Sequence, residues 1–229
     1  MPIDHPLDRP VWTALRTRQA GIAVGDGRAV RFAPDYGLFA AAADGSAESL
    51  GALGALVPAG GGVAVVEAVA PGAVPGLGAE ARHLWQMIAP ELTAAGPAPE
   101  FEIVDLVETD AAQMLALATL TEPGPFFGRT HQLGDFVGVK DAQGALIAMA
   151  GERMKPVGFT EVSGVCTHPD HRGRGLAGAL MRVVAGRILA RGETPFLHSY
   201  AHNKGAIALY QSLGFSLRRE MSMTVLSRP

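Results

Sequence analysis

The residues best suited to chemistry are His171-Arg172-Gly173-Arg174-Gly175-Leu176-Ala177-Gly178, between a candidate strand and a candidate helix. Glycines there let backbone N–H groups approach a ligand closely. The unpaired N–H groups of the first helical turn, with the helix dipole, favour an anion. Arg172 and Arg174 add charge suited to a pyrophosphate. The plain reading of the same residues is a basic, glycine-capped loop. No Lys-Ser or Lys-Thr follows the glycines, so the P-loop pattern fails. Gly173, Gly175 and Gly178 match G-x-G-x-x-G literally, and Glu193 lies where a ribose-binding acid is expected. That acid belongs at the end of the second strand, however, whereas Glu193 precedes its strand. His168 to Arg172 also separates the first strand from the glycines. The dinucleotide reading is therefore disfavoured.

The elements that must position this loop follow from periodicity and turn chemistry. Phe101–Val107 reads as a strand, and Asp110 leads a helix to about Thr121, stopped by Glu122-Pro123-Gly124-Pro125. Phe136–Lys140 and Leu146–Met154 read as a hairpin around Asp141–Gly144. Phe159–Thr167 is a further strand. A long helix from about Arg172 carries Leu176, Leu180, Val184 and Ile188 on one stripe and ends at Gly192. Pro195–Ala201 is a strand, Asn203 caps a helix bearing Ala206, Leu209, Tyr210 and Leu213, and Phe215–Leu226 closes the chain. The order β-α-β-β-β-α-β-α-β predicts an α/β sheet with helices on both faces.

In the first half, Ala29–Phe32, Leu38–Ala42, Val63–Val69 and His83–Ile88 are candidate strands and Ser46–Leu56 a short helix. His83–Ile88 has the character of a strand that could pair with the C-terminal sheet. Ala94–Glu100 (AAGPAPE) is the best boundary, dividing residues 1–99 from 100–229.

Bulk properties narrow the classes. With 48% hydrophobic residues among 229, a sizeable core can form. A net charge of −3 gives no broad basic surface for nucleic acid. Leu50–Val66 is uncharged but broken by Pro58 and Gly60-Gly61-Gly62, so a membrane span is not expected. Cys166 is the single cysteine, which excludes an intrachain disulfide and suits a reducing, cytoplasmic location. No secretory signal is read in MPIDHPLDRP. No metal-ligand spacing stands out, since Pro169 intervenes between His168 and His171 and no carboxylates complete a set.

Arg172-Gly173-Arg174-Gly175-Leu176-Ala177 matches R/Q-x-x-G-x-G/A, the signature of the GNAT acetyltransferase superfamily. Gly164–Pro169 resembles the strand leading into it. Asn203-Lys204-Gly205-Ala206-Ile207-Ala208-Leu209-Tyr210-Gln211-Ser212-Leu213-Gly214-Phe215 resembles the family's N-x-x-A-x-x-L-Y-x-x-x-G-F motif. The resemblance spans about Phe101–Leu226 and implies a mixed sheet flanked by helices. Residues 1–99 would then be a smaller α/β region, either a worn copy of the same fold or a cap over the acceptor site.

By this resemblance the cosubstrate is acetyl-coenzyme A and no metal is needed. Its pyrophosphate would lie on Arg172, Gly173, Arg174, Gly175, Leu176 and Ala177. Its pantetheine arm would lie between two parted parallel strands, Phe159–Thr167 and Pro195–Ala201, touching the backbone of Val165, Cys166 and Thr167, with Asn203 opposite. The implied activity is transfer of an acetyl group to an amine of a small molecule, peptide or protein. The alternative of another class is a coenzyme A-binding sensor or structural module without turnover.

Glu161 resembles the base glutamate of some members, although a structural role suits a strand glutamate equally. Strand alternation puts it on the face of Val165 and Thr167 unless a bulge intervenes. His168, His198 and His202 are alternative bases acting through a water. Tyr210 resembles the tyrosine that protonates the departing thiolate, and its spacing equally suits a core aromatic. Cys166 reads as a buried apolar residue rather than a nucleophile. Trp85, Phe127 and His131 are weaker candidates for the acceptor side, with core packing the default for Trp85.

Overall fold

The computed structural model describes residues 5–94 and 100–228, so most of the Ala94–Glu100 boundary lies outside the described residues. Eight strands form the main sheet, in the order β4 (Gly62–Glu67), β11 (Ser216–Ser227), β5 (Gly78–Ile88), β10 (Thr194–Tyr200), β9 (Phe159–Thr167), β8 (Leu146–Glu152), β7 (Phe136–Lys140) and β6 (Val104–Leu106). Among the strand pairs of this sheet, β9–β10 is parallel and the rest are antiparallel. A second sheet holds β1 (Ala23–Gly25), β2 (Ala29–Phe32) and β3 (Ala40–Ala42). No helix among the described residues is long and apolar enough to cross a membrane.

The C-terminal element order agrees with the sequence expectation. Helix α3 (Ala111–Thr121) precedes β7, α4 (Leu176–Ala190) follows β9, and α5 (Lys204–Ser212) follows β10. On α4, Leu176, Leu180, Met181, Val184, Ala185 and Ile188 are buried, the i, i+4 stripe that an amphipathic helix presents to a sheet. They meet Val137, Val139, Ile147, Ala148, Ala150 and Val162 in the principal core. Gly192, at φ +77°, turns the chain out of α4 into β10.

Some boundaries differ for identifiable reasons. The helix expected from Arg172 begins at Leu176, because Gly173 and Gly175 both sit at φ +76° and keep the preceding residues a loop. The strand expected over Phe101–Val107 is only β6, Val104–Leu106. Ile207 of α5 and Leu213, just past its end, are buried, while Ala206, Leu209 and Tyr210 are half-buried.

The first half enters the same sheet. The expected strand at His83–Ile88 is part of the longer β5, which runs between β10 and β11 and pairs with both. Strand β4 pairs with the far side of β11. Against the other face pack helix α1 (Pro10–Arg16) and the small sheet, through Leu7, Val11, Leu15, Phe32 and Phe39. Helix α2 (Ala47–Ala55), capped by the Ser46 hydroxyl, covers Val63, Val65 and Leu226.

Gly151 of β8 leaves room for Phe136. A Cβ added there would stand 2.3 Å from the Phe136 ring. Overfilling a packed core typically costs about 1–3 kcal/mol. Gly151→Ala is therefore expected to destabilise the fold by about that amount, measured by urea unfolding.

Candidate functional site

Strands β9 and β10 pair only at Thr194↔Phe159, Pro195↔Thr160 and Phe196↔Glu161. Beyond that point β9 continues to Thr167 and β10 to Tyr200 without pairing, so a slot opens between them. A bulge accompanies the parting. Gly151 faces Ser163 but Met149 faces Cys166, so Gly164 and Val165 together oppose Ala150. Gly164 takes φ +63°, with the Phe136 ring beneath it. The extra residue reverses the alternation. Val162 and Val165 both face the α4 core, and Cys166 faces α3. Glu161 consequently lies on the face opposite Val165 and Thr167, not on their face.

One cleft of about 660 Å³ is lined by Val165, Cys166, Thr167, Arg172, Gly173, Arg174, Gly175, Leu176, Ala177 and Asn203, with Thr121–Gly124 and α5 as its far wall. These are the ten residues expected to hold the coenzyme. The glycine loop suits a phosphate group: both left-handed glycines have nothing within 4 Å of an added Cβ. Leu176, Ala177 and Gly178 of the first α4 turn line the cleft, and first-turn N–H groups have no acceptor within their own helix. Arg172 and Arg174 are exposed beside it, Arg174 resting against His171 Nδ1 at 3.0 Å. Asn203 Oδ1 accepts from Ala206 N at 3.2 Å, so its capping role is real, and the residue still lines the cleft.

A second cavity of about 150 Å³ lies on the other side of the slot, lined by Phe39, Arg153, Glu161, His198 and Ser199 among others. Val165, Tyr200, Asn203 and Tyr210 line both spaces. The two cavities thus meet at the slot. The Tyr210 hydroxyl makes no hydrogen bond among the described residues, and burial pushes its pKa up, so it remains a proton donor at neutral pH.

Glu161 lines the second cavity but is fully engaged. Its side chain is 0% exposed. Arg153 Nε and Nη2 each donate to it at 2.8 Å, Met154 N donates at 3.3 Å, and His198 Nδ1 lies 2.8 Å from Oε1. Burial alone would raise its pKa; the Arg153 charge and hydrogen bonds, with His198, outweigh that and hold the carboxyl at about 2. The Arg153 guanidinium in turn lies 4.6 Å from the centre of the Phe39 ring.

The chain of contacts continues into the first half of the sequence. His198 Nε2 lies 3.1 Å from Gln86 Nε2, which also donates to the Leu7 carbonyl at 2.9 Å. Gln86 Oε1 accepts from Arg218 Nη1 at 2.7 Å, and Arg218 Nη2 reaches Asp8 at 2.6 Å. Because Gln86 must donate to Leu7 and accept from Arg218, it presents an N–H to His198. His198 Nε2 is then an acceptor, and its proton sits on Nδ1, toward Glu161. Arg218 reaches Gln86 from the point where the β11 register shifts, between Leu217 and Arg219.

Sequence reasoning missed Arg153, Gln86 and Arg218. A signal existed for the first, an arginine opposite a glutamate on adjoining antiparallel strands. Gln86 was visible as the lone amide in Leu84-Trp85-Gln86-Met87-Ile88. Of the histidines proposed as bases, His198 alone lines the second cavity. His168 accepts from Asp170 N, and His202 is exposed and stacked on Tyr200. Burial pushes the Cys166 thiol up to about 11, which suits an inert side chain. Trp85 packs against the principal core. His131 is bound to Glu108 at 2.9 Å, and neither it nor Phe127 lines either cavity.

The model of the FR47-like protein family matches residues 137–224, from β7 into β11. No curated protein matches the chain. Among solved structures, an acetyltransferase of the GNAT family from Novosphingobium aromaticivorans is 47% identical, with a TM-score of 0.88. The match covers 99% of this chain and 100% of that one, so the likeness includes the first hundred residues. A GCN5-related N-acetyltransferase from Kribbella flavida shares the fold at 19% identity and a TM-score of 0.64, covering 94% of this chain and 96% of that one. A GCN5-related N-acetyltransferase-like protein from Streptococcus suis does so at 16% identity and 0.60, covering 98% and 94%. This full-length identity, with the glycine loop and the parted strands in place, shows that the chain belongs to the GNAT family.

Proposed function

We propose that this protein is an N-acetyltransferase that moves an acetyl group from acetyl-coenzyme A to an amine of a small molecule or peptide by direct attack. The observation that carries this reading is the meeting of the two cavities at the slot. The larger suits the coenzyme, with Arg172–Ala177 on the pyrophosphate and the free edge of β9 at Val165–Thr167 beside the arm. The smaller would take the acceptor. The thioester supplies an activated acyl carbon where they join, and Tyr210 stands there to protonate the departing thiolate. That thiolate, with a parent pKa of ~8.5, leaves readily, so Tyr210 aids the step modestly.

Attack requires a neutral amine. A lysine-like amine of pKa ~10.4 costs about 4.6 kcal/mol to deprotonate at pH 7, an α-amine of pKa ~7.8 only about 1 kcal/mol. Glu161 is a poor direct acceptor for that proton, since all its acceptor positions are filled. Moving a proton from a pKa of ~10.4 to a carboxyl near 2 is uphill by roughly 11 kcal/mol. In this reading Glu161 is a positioning residue that fixes Arg153 and His198, and weakly basic amines are the better acceptors.

Incubation with acetyl-coenzyme A and an amine panel should release free thiol. Coenzyme binding without thiol release would overturn the proposal in favour of a binding module. Gly175→Glu should abolish coenzyme binding in calorimetry, because the side chain strains a left-handed position and puts a negative charge into the anion site. With amines of similar shape, kcat/KM at pH 7 should fall about ten-fold per unit of amine pKa above 7, following the neutral fraction.

Glu161→Gln should lower turnover by a similar factor for every amine; a loss confined to strongly basic amines would make Glu161 the base. The substitution also leaves the half-buried Arg153 without its counter-ion, a cost of at most about 3–5 kcal/mol in stability. The folded pKa is depressed from the ordinary 4.5 to about 2. The stabilisation is therefore full above about pH 4.5 and lost as pH falls toward 2. Urea unfolding of both forms from pH 7 to pH 2 should show their difference shrinking over that window.

A further inference from the structure

Glu161 and Phe196 are the last paired residues of β9 and β10, so Val162 and Leu197 are the first on either side of the slot. Strand alternation turns both side chains the other way from Glu161 and Phe196. They enter the core under α4, where they join Met181. All three are buried, and all three line the smaller cavity. Of the buried α4 residues, Met181 lines this cavity, whereas Leu180 and Val184 do not. The blind end of the slot therefore has two unlike faces. Arg153, Glu161 and His198 lie on one. Val162, Leu197 and Met181 close the other, and among the described residues no charged side chain lines the cavity there.

An amine attacks a thioester carbon from above the carbonyl plane, while the acyl chain lies within that plane. The two groups cannot share one wall. The polar wall suits the amine, which leaves the apolar floor for the chain. We infer that Val162, Leu197 and Met181 form an acyl-chain subsite, and that the donors include short uncharged acyl groups longer than acetyl; this rests on the acyl transfer proposed above.

Volume sets the length of the chain. At about 30 Å³ for each water-sized group, a cavity of about 150 Å³ holds on the order of five such groups. The amine nitrogen and its carbon fill about two, which leaves about three for carbons beyond the carbonyl, the length of a butyryl group. Met181 is the stop. Its unbranched thioether fills the space at the floor, and the close-packed core behind it leaves a longer chain nowhere to go. A carboxylate at the end of the chain would meet no cation on this floor. Acidic acyl groups are therefore excluded by the cost of burying their charge.

Calorimetry of the full chain with acetyl-, propionyl-, butyryl- and hexanoyl-coenzyme A tests this. Each buried methylene is worth about four-fold in affinity, so the wild type should tighten from acetyl to butyryl and weaken at hexanoyl. Succinyl-coenzyme A, matched in length to butyryl, should bind at least about ten-fold more weakly than butyryl. Met181→Ala removes the thioether and should tighten hexanoyl binding at least about ten-fold, close to the worth of two methylenes. Leu180→Ala, equally buried but lining neither cavity, should leave the chain-length order unchanged. Should Met181→Ala not fold, Met181→Val should give a smaller shift, about four-fold. A wild type that binds hexanoyl as tightly as butyryl overturns the subsite, and so does a Met181→Ala order identical to the wild type's. Thiol release with amines would leave the transfer reading standing in either case. The expected chain-length order without any thiol release would instead overturn transfer and keep the subsite.

Discussion

The parting of β9 from β10 after the Glu161–Phe196 pair is the constraint on which the site rests. Two parallel neighbours would ordinarily stay hydrogen-bonded to their ends. Here the bulge at Gly164 and Val165 turns β9 away, and a buried ion pair sits at the fork. Glu161 projects from β9 and is tied to Arg153 on its outer side and to His198 of β10 across the gap. The two strands are held at the vertex by polar contacts that also set how widely they diverge. A well-packed apolar substitute for such a buried pair can be as stable. What it would lack is the fixed orientation of His198 and Arg153 in the cavity beyond.

That vertex explains why the N-terminal region belongs to the site. Gln86 orients His198, Leu7 and Arg218 orient Gln86, and Asp8 holds Arg218. Phe39, from the segment leading into β3, lies against the Arg153 guanidinium and walls the smaller cavity. Strand β5 lies between β10 and β11, so the C-terminal sheet is continuous only with it in place. The full-length likeness to the Novosphingobium structure fits this dependence.

The parts legible in the sequence were those set by local rules. Phe136–Lys140 and Phe159–Thr167 stand at the residues expected because alternation and flanking turns define them unambiguously. The Arg172–Ala177 loop and the Asn203 cap are short-range devices with fixed spacing. The illegible parts were set at a distance. A bulge adds one residue and leaves no mark beyond Gly164, yet it moved Glu161 to the opposite face from Val165. Helix α1 is brief, and its Val11, Ala14 and Leu15 acquire meaning only against the small sheet. The first half of β5 is small and polar, Gly78-Ala79-Glu80-Ala81-Arg82, and becomes a strand because β11 lies beside it.

The same division separates the two halves of the proposed reaction. The donor's phosphates would be held by backbone N–H groups at a helix start, which needs glycines at set positions and so writes itself into one stretch of sequence. The acceptor side would be built from side chains brought together by topology, on β5, β9, β10 and α5, from Arg153 just past β8 and from the segment before β3. Its half-buried charges are neutralised in place, Arg153 by the buried Glu161 and Arg218 by Asp8. With these charges paired, selection among amines would fall to cavity shape, to the aromatic surfaces of Phe39 and Tyr200, and to the neutral fraction of the amine itself. A cavity of about 150 Å³ admits only a small group, so most of a larger acceptor would lie outside the slot, against Tyr200 and His202.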